Sequence, residues 1–76
     1  MEEKVLEILE ELCGTDEVRE NRDINLFEAG LLNSLGVIEL LLQIKDKMGI
    51  IIQPTEIERE DIETPNKIID YLAKKA

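Results

Sequence analysis

The stretch GLLNSLG, residues 30–36, leads from a polar segment into an apolar run with helical periodicity, residues 35–48. Asn33 lies where the predicted helix begins. Asparagine is among the most favoured N-cap residues, because its side-chain oxygen accepts hydrogen bonds from the unpaired N–H groups of the first turn. With Asn33 as the N-cap, Leu32 and Val37 occupy the two positions of a hydrophobic staple. The stretch therefore predicts the start of a well-defined helix.

Ser34 falls at the first position of this predicted helix. Its hydroxyl is not needed for capping and can face solvent. A phosphate group on that oxygen would lie at the positive end of the helix dipole. An Asn-Ser pair that simply begins a helix is common, so the rest of the chain has to distinguish an ordinary helix start from a modification site. Ser34 is the only serine in the chain, and the three threonines lie at predicted caps or turns.

The composition predicts a small helical protein. Seventy-six residues predict one domain, residues 1–76, near the lower size limit for an unaided hydrophobic core. Leu and Ile supply 22 of these residues, which is enough for a single core. One Phe, one Tyr and no Trp leave few of the aromatic residues that favour a β-sandwich. The composition therefore favours an all-α bundle.

Charge and residue content argue against several classes of function. Eighteen acidic residues against nine basic ones give a net charge of −9, which disfavours binding to nucleic acid or to an anionic membrane. The absence of histidine and of a metal-ligand cluster argues against an enzyme and against a metal site. Cys13, the single cysteine, and the lack of a long apolar segment predict a cytoplasmic protein without direct membrane insertion.

Apolar spacing and end signals predict three long helices and a long first loop. The helices cover residues 2–13, residues 35–48 and, with Thr64 as N-cap, residues 65 to about 75; the polar loop covers residues 15–33. A single helical turn is predicted at residues 55–59. A loop of this length is unusual in a small domain and is more often functional than not.

The second long helix has two apolar stripes when its residues are placed at about 100° each. The broad core face comprises Val37, Leu40, Leu41, Ile44 and Met48. The other stripe comprises Leu35, Ile38 and Leu42, and Glu39 and Asp46 flank it on the polar side. Two interpretations remain open at this point. Either both stripes are buried in one wide core, or the second stripe is an exposed docking surface that begins beside the serine.

The spacing Leu26-Phe27-x-x-Gly30-Leu31-Leu32-x-Ser34-Leu35 resembles that of acyl and peptidyl carrier proteins. This resemblance spans essentially the whole chain. It implies an all-α four-helix bundle with three long helices, a short third helix and a long first loop. It also implies that Ser34 carries a 4′-phosphopantetheine arm through a phosphodiester. The thiol of the arm holds acyl or aminoacyl groups as thioesters, and the carrier itself has no catalytic activity.

The second half of the chain is most similar to D-alanyl carrier proteins, which carry activated D-alanine for the esterification of teichoic acids. The similarity lies in residues 34–40, 54–61 and 64–69. Gly36 supports it, because fatty-acid carriers usually have an acidic residue at this place. Asn33 departs from the family, which normally has aspartate before the serine. Asparagine keeps the capping geometry and lacks the charge.

The resemblance also implies partners. We expect a phosphopantetheinyl transferase, a D-alanine-activating ligase or another acyl- or aminoacyl-loading enzyme, and an acceptor acyltransferase, each acting on a monomer. The predicted docking residues are Asn33, Leu35, Ile38, Glu39, Leu42 and Asp46. Two alternatives remain open at this point: a carrier for fatty-acid, polyketide or non-ribosomal peptide synthesis, and a small acidic adaptor that carries no prosthetic group.

Overall fold

The computed structural model describes residues 2–75. The α-helices are α1 (Glu2–Cys13), α2 (Glu17–Glu20), α3 (Ser34–Met48) and α4 (Pro65–Lys75). Two 3₁₀ turns, Pro54–Glu56 and Arg59–Asp61, lie between α3 and α4. Residues 2–75 contain no strand. The all-α prediction with three long helices is therefore confirmed.

Helix α1 lies against each of the other three helices. Its apolar residues at helical spacing are Val5, Ile8, Leu9 and Leu12, of which the first three are buried and Leu12 is half-buried. Leu6 is fully buried as well, so the apolar face of α1 is wider than this spacing indicates. Gly14 ends the helix in the left-handed region at φ 67°, where glycine has no steric penalty.

The long first loop contains the four-residue helix α2, where the sequence indicated only the start of a short turn at Thr15-Asp16. Burial of Val18 fixes this turn against the core. Arg19 forms ion pairs with Glu3 and Glu10 of α1. A single turn is too short to show apolar periodicity, so only these tertiary contacts identify α2.

The end of the first loop is attached by its backbone to the segment before α4. The Leu26 N–H donates to the Glu63 carbonyl at 2.7 Å, and the Asn66 N–H donates to the Arg22 carbonyl at 3.0 Å. Leu26 is also fully buried. The loop is therefore an ordered part of the fold, and it positions the residues that precede α3.

In the segment between α3 and α4, Ile52 is buried and Ile51 is exposed. The short third helix consists of two separate 3₁₀ turns, where the sequence predicted one turn at residues 55–59. Each turn has a carboxylate that reaches back to its own N-cap: the Gln53 N–H donates to Glu56 at 3.0 Å, and the Glu58 N–H donates to Asp61 at 2.9 Å. Because each turn has its own cap, the segment forms two short 3₁₀ turns and not one continuous helix.

One apolar cluster forms the core. Its buried members come from α1, α3, α4 and both connecting segments: Val5, Ile8, Leu9, Val18, Leu26, Leu32, Leu40, Leu41, Ile44, Ile52, Ile62, Ile68 and Leu72. Residues 2–75 have no buried polar or charged side chain. Within the same range, no helix is both long enough and apolar enough to cross a membrane.

Candidate functional site: the start of helix α3

Asn33 caps α3 as the sequence predicted. Its backbone is extended, with φ −136° and ψ −178°, and its Oδ1 accepts a hydrogen bond from the Gly36 N–H at 2.8 Å. The Asn33 carbonyl accepts from the Val37 N–H at 2.9 Å, which is the first helical hydrogen bond. The end of the helix at which Ser34 lies is therefore firmly defined.

Packing beneath the helix start is close at Gly36. Leu32 is buried and Val37 is half-buried, as expected for a hydrophobic staple. A Cβ atom on Gly36 would lie 3.0 Å from Leu32 Cδ1. The N–H groups of Leu31 and Leu32 both donate to the Leu26 carbonyl, at 2.9 and 3.0 Å. The leucine pair before the serine is thus an anchor for the loop, and Gly36 leaves room for it.

Ser34 is the first residue of α3, and it is exposed. The side-chain cap of the helix is Asn33, so the Ser34 hydroxyl has no capping role. The first turn of α3 contains no acidic residue. A negatively charged group on Ser34 Oγ would therefore lie at the positive end of the helix dipole, and no carboxylate of the first turn would repel it.

Ser34 lines a groove of about 290 Å³ that is open to solvent. The other lining residues are Phe27, Val37, Pro54, Ile57, Glu58, Arg59 and Ile62. Arg59 Cζ lies 4.5 Å from the centroid of the Phe27 ring, a cation–π contact. Sequence reasoning did not select Arg59 as a site residue, because only tertiary packing brings residues 27 and 59 together.

Comparison with known proteins agrees with this geometry. A family model described as a phosphopantetheine attachment site matches residues 3–72. The chain is 47% identical over 75 residues to a D-alanyl carrier protein of Abiotrophia defectiva, covering 99% of this chain and 95% of the relative. The chain belongs to the D-alanyl carrier protein family. Family relatives from Enterococcus faecalis and Bacillus subtilis are 48% and 44% identical over 72 residues, covering 95% of this chain and 92% of each relative.

Phosphopantetheine-attachment domains bind 4′-phosphopantetheine covalently, and the start of α3 fits that group. Covalent attachment needs an exposed hydroxyl on a rigid element, and Ser34 lies on the capped first turn of α3. The phosphate needs a local field that tolerates negative charge, which the helix start and Arg59 supply. Ser34, Val37 and Arg59 line one groove at this helix start.

The second stripe of α3 is exposed. Leu35, Ile38 and Leu42 are 73%, 44% and 61% exposed, and Ile51 from the following segment is 58% exposed. Ile38, Leu42 and Ile51 line a groove of about 190 Å³. We call Leu35, Ile38, Leu42 and Ile51 the α3 apolar patch. The sequence pattern of α3 is compatible with either burial or exposure of the stripe, and Ile51 lies outside that pattern.

The acidic docking candidates lie beside this patch. Glu39 and Asp46 are exposed and border a surface groove together with Leu42. Asn33, the remaining predicted docking residue, is exposed at the helix start. The structure therefore brings the apolar and acidic candidates onto one face of α3. Their role in docking stays a prediction.

Cys13 is not among the residues that line the groove beside Ser34. Cys13 is partly buried against the core, and burial raises the pKa of its thiol, which makes the thiol a poor nucleophile at neutral pH. Residues 2–75 contain no group of three His, Cys, Asp or Glu side chains able to hold a metal ion.

Proposed function

We propose that Ser34 is the attachment site of 4′-phosphopantetheine and that the protein carries D-alanine as a thioester for the D-alanylation of teichoic acids. The supporting observation is the single exposed serine at the first position of α3, inside the region that matches the phosphopantetheine-attachment family. The names of the similar proteins support D-alanine as the cargo. In this proposal, residues 1–76 form one carrier domain that works as a cytoplasmic monomer and catalyses no reaction itself.

Loading of the arm uses the Ser34 hydroxyl as a nucleophile. Ser34 Oγ forms a bond to the phosphorus of coenzyme A that bears pantetheine, and the bond from that phosphorus to adenosine 3′,5′-bisphosphate breaks. The serine proton passes to a base on the transferase, since no base lies beside Ser34 in the first turn of α3. The N-terminal dipole of α3 stabilises the phosphodiester that results. The terminal thiol of the arm supplies the thioester chemistry.

The cargo remains in solvent at the end of the arm. A long acyl chain gains roughly 25 cal/mol for each Å² removed from water, so its carriers need an apolar cavity. D-alanine has a charged ammonium group and one methyl group, so burial costs more than it returns. The groove beside Ser34 is open to solvent, which suits a cargo that is not buried.

Partner enzymes dock on the outward face of α3. Leu35, Ile38 and Leu42 offer exposed apolar area next to the attachment site. Glu39 and Asp46 add negative charge at its border, which complements basic residues on a transferase, a ligase or an acceptor acyltransferase. An apolar centre with a charged rim is the usual composition of a transient interface.

Loading with different cargoes tests the proposed cargo. The holo-protein should accept D-alanine efficiently from a D-alanine-activating ligase and accept long-chain acyl groups poorly from fatty acyl ligases. The D-alanyl and unloaded holo-proteins should have nearly the same thermal midpoint and the same core amide NMR shifts. Efficient loading with long-chain acyl groups, with shifted core amides and added stability, would contradict D-alanine as the cargo and favour a fatty-acid carrier.

A further inference from the structure

The groove beside Ser34 has two chemically different parts. Most of its wall is apolar and comes from the first loop, α3 and the segment between α3 and α4: Phe27, Val37, Pro54, Ile57 and Ile62. Two charged residues complete the lining, Glu58 and Arg59. Glu58 and Arg59 carry opposite charges, so a ligand that pairs with Arg59 in this groove needs an anionic group beside an apolar portion.

Arg59 is the cation in question, and its position is fixed by the ring beneath it. Its Cζ lies 4.5 Å from the Phe27 centroid, and a guanidinium that stacks on an aromatic face loses less freedom when it binds an anion. Arg59 takes part in none of the ion pairs found within residues 2–75. Three carboxylates, Glu58, Glu60 and Asp61, lie close to it in sequence, yet none of them forms an ion pair with Arg59.

The root of a phosphopantetheine arm has the matching chemistry. The phosphodiester carries one negative charge. It is followed along the arm by a CH2 group and then by a carbon that bears two methyl groups. Ser34 lines the same groove as Arg59 and the apolar residues, so an arm attached to Ser34 Oγ would begin beside both parts of the lining. A guanidinium matches phosphate oxygens with two parallel hydrogen bonds, and the apolar wall matches the dimethyl carbon.

We propose that this groove holds the root of the arm, with Arg59 bound to the phosphodiester and the dimethyl carbon packed against the apolar wall formed by Phe27 and Ile57. The proposal rests on Ser34 being the attachment site. It assigns Arg59 and Phe27 as positioning residues that fix the direction in which the arm leaves the protein. None of the four members of the α3 apolar patch lines this groove, so a docked arm root leaves the patch free for partner enzymes.

NMR of matched apo- and holo-proteins tests the proposal. Wild type, Arg59→Gln, Arg59→Lys and Lys4→Gln are each prepared in both forms, and intact mass verifies the added arm. Lys4→Gln is the matched control, because it removes one exposed positive charge outside the groove. For each protein, the holo-minus-apo differences in amide shift and the ³¹P shift of the phosphodiester are recorded at low and high salt.

In wild type we expect holo-minus-apo differences at residues 27, 57 and 62, beyond the sequence neighbours of Ser34. Arg59→Gln should reduce the docked population by about two- to fivefold, as expected for one exposed charge-assisted contact. Arg59→Lys should retain part of the effect, and Lys4→Gln all of it. In wild type, about 1 M salt should shrink the differences and move the ³¹P shift towards that of Arg59→Gln, since the screening length is then about 3 Å.

Differences confined to residues 32–38 in wild type would overturn the proposal, because the arm would then leave the groove empty. Differences that Arg59→Gln leaves unchanged would overturn the role of Arg59. The two proposals fail in different ways: if wild type gains no arm mass at all, the attachment site itself is wrong, whereas normal mass gain without groove shifts refutes only the docking of the arm root.

Discussion

Three consecutive leucines in α3 have very different environments. Leu40 is fully buried, Leu41 is 7% exposed and Leu42 is 61% exposed. The residue type and the helix are the same, so the difference comes only from the rotation of about 100° per residue and from which side of α3 the other helices cover. The inner leucines hold the bundle together, and the outer one is available to another protein. Apolar character alone does not show which role a residue has.

The largest effect expected is on folding, from truncation on the inner side. Leu40→Ala should lower the free energy of unfolding by ~2–5 kcal/mol, because it leaves a cavity in the core. Leu42→Ala is the matched control, and its loss should lie well below this range. Chemical denaturation of both variants measures the difference. Equal losses would show that the two sides of α3 are not energetically distinct.

The outer side should show the opposite pattern in partner binding. Leu42→Ala and Ile38→Ala should weaken binding to a partner enzyme by about fivefold or more if they lie at the centre of the interface. Titration of fluorescently labelled apo-protein with a phosphopantetheinyl transferase measures this. Lys74→Ala, an exposed change at the far end of α4, should leave affinity unchanged. Unchanged affinity in both outer variants would remove the α3 apolar patch from the interface.

Asn33 lies at the start of α3. Two substitutions there distinguish the contribution of its side-chain cap to stability from the effect of a negative charge on modification. Asn33→Ala should cost about 1 kcal/mol of stability, because the Gly36 N–H loses its acceptor. Asn33→Asp should keep stability and speed modification at low salt, since aspartate caps equally well and adds a charge that a basic transferase attracts. Thermal denaturation and the rate of arm addition measure the two effects. A rate that Asn33→Asp leaves unchanged would show that the missing charge is irrelevant.

The smallest effect concerns pH, and it should arise at the surface because residues 2–75 have no buried polar or charged side chain. Hydrogen bonds from Lys75 and from the Gln53 backbone hold the pKa of Glu56 below its usual value. A lowered native pKa stabilises the fold above the usual carboxylate pKa, and this contribution disappears as pH falls through the native value. Glu56→Gln should therefore be slightly less stable than wild type at pH 7. Thermal midpoints should converge in acid, and a constant difference at all pH values would exclude this linkage.

Local patterns in the sequence were sufficient for much of this structure. Spacing predicted the three long helices, and the Asn33 cap followed from residue type and position. The exposure of Leu42 did not follow from its spacing, because only the placement of the other helices determines which stripe is covered. Helix α2 and the contact of Arg59 with Phe27 depend on residues distant in sequence, so no local pattern could reveal them. The position of Ser34 at the start of α3 was thus predictable, whereas the groove beside it was not.

The most direct test of the account is the intact mass of the protein after incubation with coenzyme A and a broad-specificity phosphopantetheinyl transferase. Wild type should gain one phosphopantetheine mass, and Ser34→Ala should gain none. Circular dichroism should show unchanged helicity in Ser34→Ala, because Asn33 still caps α3. Failure of wild type to gain the arm, or full modification of Ser34→Ala, would contradict Ser34 as the site at which this protein carries its cargo.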